Sequence, residues 1–147
     1  MIDRHAELLA MLRTLKLPAM AAAFPDLALK AAKNGLTHEA FLYDLIQCEC
    51  VQRDERQIAR LLHRSGLPRE KTFGTLAVER FPLAMRQQIE RLRSGAFVGE
   101  AINVIAVGRP GTGKSHLAAA LGHELILHGE SVLWTATANL VQRLLAV

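Results

Sequence analysis

A chain of 147 residues, half of them apolar, has material for one full core or for a small and a partial domain, which excludes a disordered polymer. The net charge of +4, from 18 Lys or Arg against 14 Asp or Glu, permits contact with an acidic polymer without requiring it, and no run approaches the roughly 20 apolar residues of a membrane span. The charged opening Met1-Ile2-Asp3-Arg4-His5 is not followed by a signal-like apolar leader, and the only cysteines, Cys48 and Cys50, face different directions on a helix, so a soluble cytoplasmic protein with reduced thiols is expected.

Along the chain, Asp3 is placed to cap a first helix whose apolar residues Leu8, Leu9, Met11, Leu12 and Leu15 recur at helical spacing and which ends at Pro18. An alanine-rich helix follows toward Lys33. Pro25 either begins its main body or kinks it, and Asn34-Gly35 supplies a left-handed stop. Thr37 caps a long helix from about His38 to Ser65, stopped by Gly66 and Pro68. The periodicity then fades between Leu67 and Phe81, a connector, and returns in a short helix from Leu83 to Arg93. Ile102 to Val107 is a short branched apolar run, the pattern of a strand buried on both faces of a parallel sheet. A helix from Lys114 to about His128, a second strand Ser131 to Thr135 and a last helix from near Ala138 complete the reading.

Between the first strand and its following helix stands Gly108-Arg109-Pro110-Gly111-Thr112-Gly113-Lys114-Ser115, which fits G-x-x-x-x-G-K-[ST] at every fixed position and in the strand-loop-helix context the motif requires. Glycines at 108, 111 and 113 permit backbone conformations closed to other residues, so that successive N–H groups converge on an anion. The helix that starts here adds its unpaired N–H groups and the positive end of its dipole. Lys114 is the catalytic candidate, reaching the outer phosphates of ATP, and Ser115 the ligand of Mg²⁺; His116 completes the cofactor-binding stretch that runs from Gly108. His116 and His123 share a helix face, but no further ligand stands at a spacing that would complete a metal site, and His128 suits a helix C-terminus. Leu117, Leu121 and Leu125 form an apolar stripe, while Ala118, Ala119, Ala120 and Gly122 allow close approach to a sheet. Phe73 and Phe81 read as core.

Residues 53 to 93 carry ten Lys or Arg against five Asp or Glu, leaving the rest of the chain near neutral. Arg53, Arg56, Arg60 and Arg64 align along one helix face, either as a track for DNA phosphates or as a solvated face supported by Glu49 four residues before Arg53.

The stretches Gly108 to Ala146 and Phe41 to Phe73, above all Lys-Ser-His-Leu-Ala at 114 to 118 and Leu-Pro-Arg-Glu-Lys-Thr at 67 to 72, resemble the IstB-like family, AAA+ ATPases of bacterial insertion sequences similar to DnaC-type helicase loaders. The resemblance runs along essentially the whole chain. It implies an α/β fold, a P-loop NTPase (AAA+) core, incomplete here and preceded by an all-α N-terminal domain. The expected division is 1–66 helical domain, 67–99 connector and short helix, and 100–147 the N-terminal part of the ATPase domain. It also implies ATP-dependent self-assembly into a homo-oligomer, with DNA and the transposase of the same insertion sequence as partners and no membrane. The family's Walker B strand, sensor, arginine finger and lid have no counterpart in this sequence, so ATP binding without efficient hydrolysis is expected. The usual AAA+ strand order also makes the two strands here non-neighbours, with unpaired edges. A replicative helicase loader and a non-catalytic ATP-binding remnant are the competing readings. A nucleotide kinase fits less well, given the long helical leader before the loop.

Overall fold

The computed structural model describes residues 4–146, so the expected cap at Asp3 lies outside the described residues. The chain divides into two compact units, 1–56 and 57–147.

The first unit holds α1 (Arg4–Thr14), α2 (Pro18–Asn34) and the leading part of α3 (His38–Ser65). Lys16 takes a left-handed conformation (φ 57°), and Leu17 N–H returns to Leu12 O at 2.9 Å, which turns the chain sharply between α1 and α2. Pro18 sits in the first turn of α2, where its missing N–H costs nothing, while Pro25 lies inside a helix that continues on both sides of it. Gly35 closes α2 as expected, at φ 60° with its N–H bonded to Ala31 O. Thr37 Oγ1 accepts the Ala40 N–H at 3.2 Å, the predicted cap of α3. Leu12, Met20, Ala21 and Leu45 are buried together, with Phe24 and Phe41 meeting edge to face over 6.1 Å.

A polar hub completes this unit. Leu17 gives α2 no side-chain cap, and the N–H groups of Ala19 (2.8 Å) and Met20 (3.2 Å) instead donate to Glu49 Oε2, from α3. Arg53 Nε donates to Glu49 Oε1 at 3.1 Å, and its other arm reaches Lys16 O at 3.0 Å. Burial alone would push the Glu49 carboxyl up, but the Met20 N–H, the Arg53 side chain and the Ala19 N–H together hold it below its ordinary value.

The second unit takes the end of α3, a 3₁₀ turn (Val78–Arg80), α4 (Leu83–Arg93), the short α5 (Ala96–Gly99), α6 (Lys114–Leu127) and α7 (Thr137–Leu145). Helix α6 is its centre. One side packs Ala119 and Ile126 against Leu67, Ile58, Leu61, Leu62, Val132 and Trp134; the other packs Leu117 and Leu121 against Ile89, Phe73, Leu76, Phe81 and Leu92. A Cβ on Gly122 would stand 3.0 Å from Leu67 Cδ2 and 3.4 Å from Val132 Cγ1, so the small residues of α6 serve an approach to the connector and to the segment 131–135, which is not in a sheet as expected.

The predicted strands are not formed. Among the described residues none is in a strand, and both 102–107 and 131–135 lie outside regular structure. A strand needs a neighbour's hydrogen bonds, whereas a helix makes its own. The second segment finds a different partner: Trp134 N–H donates to Ser65 O at 2.7 Å, beside the left-handed Gly66 that ends α3. The first keeps its apolar side chains outside, with Ile105 84% and Val107 91% exposed.

Candidate nucleotide site

The loop 108–113 delivers the chain into α6, whose N-cap, Gly113, makes no side-chain cap bond. Leu117 N–H is bonded to Gly113 O, so the amides of Lys114, Ser115 and His116 belong to the first turn, where a helix offers no internal acceptor. The three glycines act differently. Gly111 (φ 78°) and Gly113 (φ 86°) hold the left-handed conformations expected of them. Gly108 does not; there a Cβ would stand 3.3 Å from Thr112 Oγ1, so space and not backbone freedom is what that position needs.

Lys114 folds back over the loop, its Nζ donating to Arg109 O at 2.6 Å, where Thr112 Oγ1 also donates at 2.9 Å. Arg109 thus takes part through its carbonyl, holding the ammonium over the loop.

These residues open on a cleft of about 890 Å³ in which Gly108, Gly111, Thr112, Gly113, Lys114 and His116 form one wall. The connector contributes Thr75, Leu76, Ala77, Arg80 and Phe81, helix α4 adds Met85, and Ile105 to Val107 border the cleft. The volume falls in the range of small-molecule sites, roughly 300–1,000 Å³. Arg80 and Lys114 are its charged lining residues and no carboxylate lines it, a charge pattern suited to an anion with an apolar part. Arg109, Pro110 and Ser115 are not among its lining residues; Ser115 is exposed in the first turn of α6.

The connector wall escaped the sequence reading. Phe81, read as core, does pack against Leu117 and Leu121, but its ring also lies 3.7 Å from where a Gly113 Cβ would be. Nothing local to residues 75–85 signals contact with a loop more than twenty positions later. The imidazoles of α6 have partners that no local pattern signals: His116 Nε2 lies 3.1 Å from both Thr72 O and Thr75 Oγ1, and His123 Nε2 lies 3.0 Å from Pro68 O.

The arginine stripe of α3 is divided by the unit boundary. In the first unit Arg53 is tied to Glu49 and Lys16, and Arg56 to Gln52 Oε1. In the second, Arg60 and Arg64 are exposed. Among the described residues no helix is long and apolar enough to cross a membrane, and no cluster of three His, Cys, Asp or Glu is placed to hold a metal ion.

Comparison with known proteins adds a further finding. A family model described as IstB-like ATP binding protein matches residues 10–147. A protein of Sinorhizobium fredii named as an insertion sequence ATP-binding protein is 36% identical over 141 residues, covering 95% of this chain and 47% of its own length. A Geobacillus stearothermophilus protein with a similar name is 32% identical over 88% of this chain and 52% of its own. The replicative helicase loader DnaC of Buchnera aphidicola is 32% identical over 67% of this chain and 42% of its own. The chain spans about half the length of the curated relatives it matches.

Proposed function

The chain belongs to the IstB-like ATP-binding family, and on that premise we propose that its cleft binds ATP with Mg²⁺, as part of a helper protein for DNA transposition. One observation carries the nucleotide reading: two left-handed glycines lead into an uncapped helix N-terminus beside Lys114, facing a cleft whose charged lining is wholly cationic. The residues fit the ligand. The amides of 114–116 and the Lys114 ammonium suit a polyphosphate, the Ser115 hydroxyl has the chemistry of a magnesium ligand, and Leu76, Ala77 and Phe81 offer an apolar wall to a base. Binding a phosphate requires Lys114 to exchange its bond with Arg109 O for the anion, a stronger charge-assisted contact.

Within this chain the equipment favours binding over turnover. After Lys114 its carboxylates are Glu124, paired with Arg93 at 3.4 Å, and Glu130, and neither lines the cleft, so an acidic group for the metal and a residue to orient water are not supplied by the site described here. In the whole protein, we propose, the segments 102–107 and 131–135 become strands of a P-loop sheet, completing the α/β core. The domain boundaries at 66 and 99 belong to the same proposal.

Titration of the purified chain with ATP and Mg²⁺ tests the reading. Lys114→Ala is expected to weaken ATP by about tenfold to a hundredfold, the worth of a charged hydrogen bond of roughly 1.5–3 kcal/mol. Equal affinity in wild type and variant overturns it.

DNA, the transposase of the same insertion sequence and further copies of the chain are the proposed partners. Insertion-sequence relatives align with 84% to 95% of the chain where the helicase loader aligns with 67%, which favours the transposition reading over loading of a helicase. Arg60 and Arg64 are the stronger candidates for phosphate contact, with Arg56 next; Arg53 is already committed within its own unit. Removing Arg60 and Arg64 should lower the salt dependence of DNA binding by about two units of slope.

A further inference from the structure

Helix α6 grips the connector at two points, seven residues apart, through His116 and His123. The hydrogen positions of the first grip follow from its surroundings. The Thr75 hydroxyl has one hydrogen, and its shortest contact, 2.6 Å, is to Glu70 O, a pure acceptor. Thr72 N–H donates to the same hydroxyl oxygen at 3.2 Å. His116 Nε2 therefore faces acceptors only, the Thr72 carbonyl and the remaining lone pair of Thr75, and must carry its hydrogen.

His116 is also the third residue of α6. Its backbone N–H lies in the helix turn that meets an anion, while its ring holds the turn Glu70–Thr75, from which the chain runs directly into Leu76, Ala77 and Phe81, the apolar wall of the cleft. One residue thus stands between the phosphate end of the site and its apolar wall. His123, farther along the helix, holds Pro68 O and does not line the cleft.

We propose that His116 is a positioning residue that fixes the connector wall against the phosphate loop, so that the site favours a nucleoside triphosphate over a bare polyphosphate. This rests on the nucleotide reading above. His123 holds the same connector for stability alone.

The test compares ATP with inorganic tripolyphosphate, each titrated with excess Mg²⁺ into the full chain. Wild type is expected to bind ATP the more tightly. His116→Leu should weaken ATP by about tenfold, the upper end for one hydrogen bond, and leave tripolyphosphate within about twofold. His116→Gln, whose amide nitrogen can donate from nearly the same place, should restore ATP binding to within about threefold. Thr75→Val, which removes an acceptor and keeps the shape, should lower the ATP to tripolyphosphate ratio in the same direction, and decides the matter if His116→Leu does not fold. His123→Leu should lower Tm and leave the ratio unchanged. Equal loss of both ligands in His116→Leu, no change in either, or a matching change of ratio in His123→Leu overturns the proposal while leaving nucleotide binding in place. A wild-type chain that binds neither ligand overturns the nucleotide reading itself, and this inference with it.

Discussion

Helix α6 and the segment just before its loop, 102–107, are both strongly apolar and only a few residues apart, yet they have opposite fates. Ala119, Ala120 and Ile126 of the helix are wholly buried, whereas Ile105 and Val107 are the most exposed large apolar side chains among the described residues. The difference lies in where each finds its hydrogen bonds. The helix closes its own ladder and needs neighbours only for its side chains, which α3, the connector and α4 supply. A strand needs a neighbour for its backbone first, and apolar content does not substitute for one.

The largest effect that would sharpen this contrast is expected at Ile126, with no exposed surface and a place in the cluster that holds Leu67, Val132 and Trp134. Ile126→Ala should cost about 3 kcal/mol in urea unfolding, the usual loss for a large side chain deleted from a core. A loss under about 1 kcal/mol would show that α6 is not the packed centre of its unit.

Glu49 carries the same lesson in polar form, since its carboxylate supplies from another helix the acceptor that the start of α2 lacks. Glu49→Gln should cost about 2 kcal/mol near neutral pH, as for other buried hydrogen bonds to a charged group. Its folded-state carboxyl ionises below the ordinary value of 4.5, so the native state binds fewer protons than the unfolded chain through that range. The stabilisation is complete above 4.5 and is lost as pH falls through the folded value; the acid limb of the stability curve should flatten in the variant. An unchanged acid limb would place the acid sensitivity elsewhere.

Gly122→Ala follows at about 1 kcal/mol, because the added Cβ meets Leu67 Cδ2 at 3.0 Å and Cδ1 at 3.2 Å, and Leu67 is itself buried. Better helix propensity of alanine offsets part of the clash. A Tm above wild type would mean that Leu67 has room to move.

How much could be read beforehand follows the same division. Helix α3 runs from His38 to Ser65 and α4 from Leu83 to Arg93, both as periodicity and caps require, because Thr37, Gly66 and the apolar spacing are local signals. The backbone of the loop 108–113 was legible in part for the same reason, with Gly111 and Gly113 left-handed and Gly108 not. The connector wall was not, since Phe81 meets Gly113 and Thr75 meets His116 across more than thirty residues that no local pattern links. Nor was the role of Glu49. As a residue four before Arg53 it suggested a surface ion pair, and the pair exists, but its buried partners Ala19 and Met20 lie about thirty positions away.

The smallest expected effect is also the sharpest test of the contrast. Ile105 is 84% exposed, so Ile105→Thr, which keeps the branched shape and removes apolar surface, should change the unfolding free energy of this chain by less than about 0.5 kcal/mol. An exposed run of this kind is a template for pairing with another chain, so the same substitution should reduce concentration-dependent association in light scattering. A loss approaching that of Ile126→Ala would mean that the segment is already held by these 147 residues, and that its backbone partners lie within them. A small loss is what a segment outside regular structure, with its apolar side chains in solvent, requires.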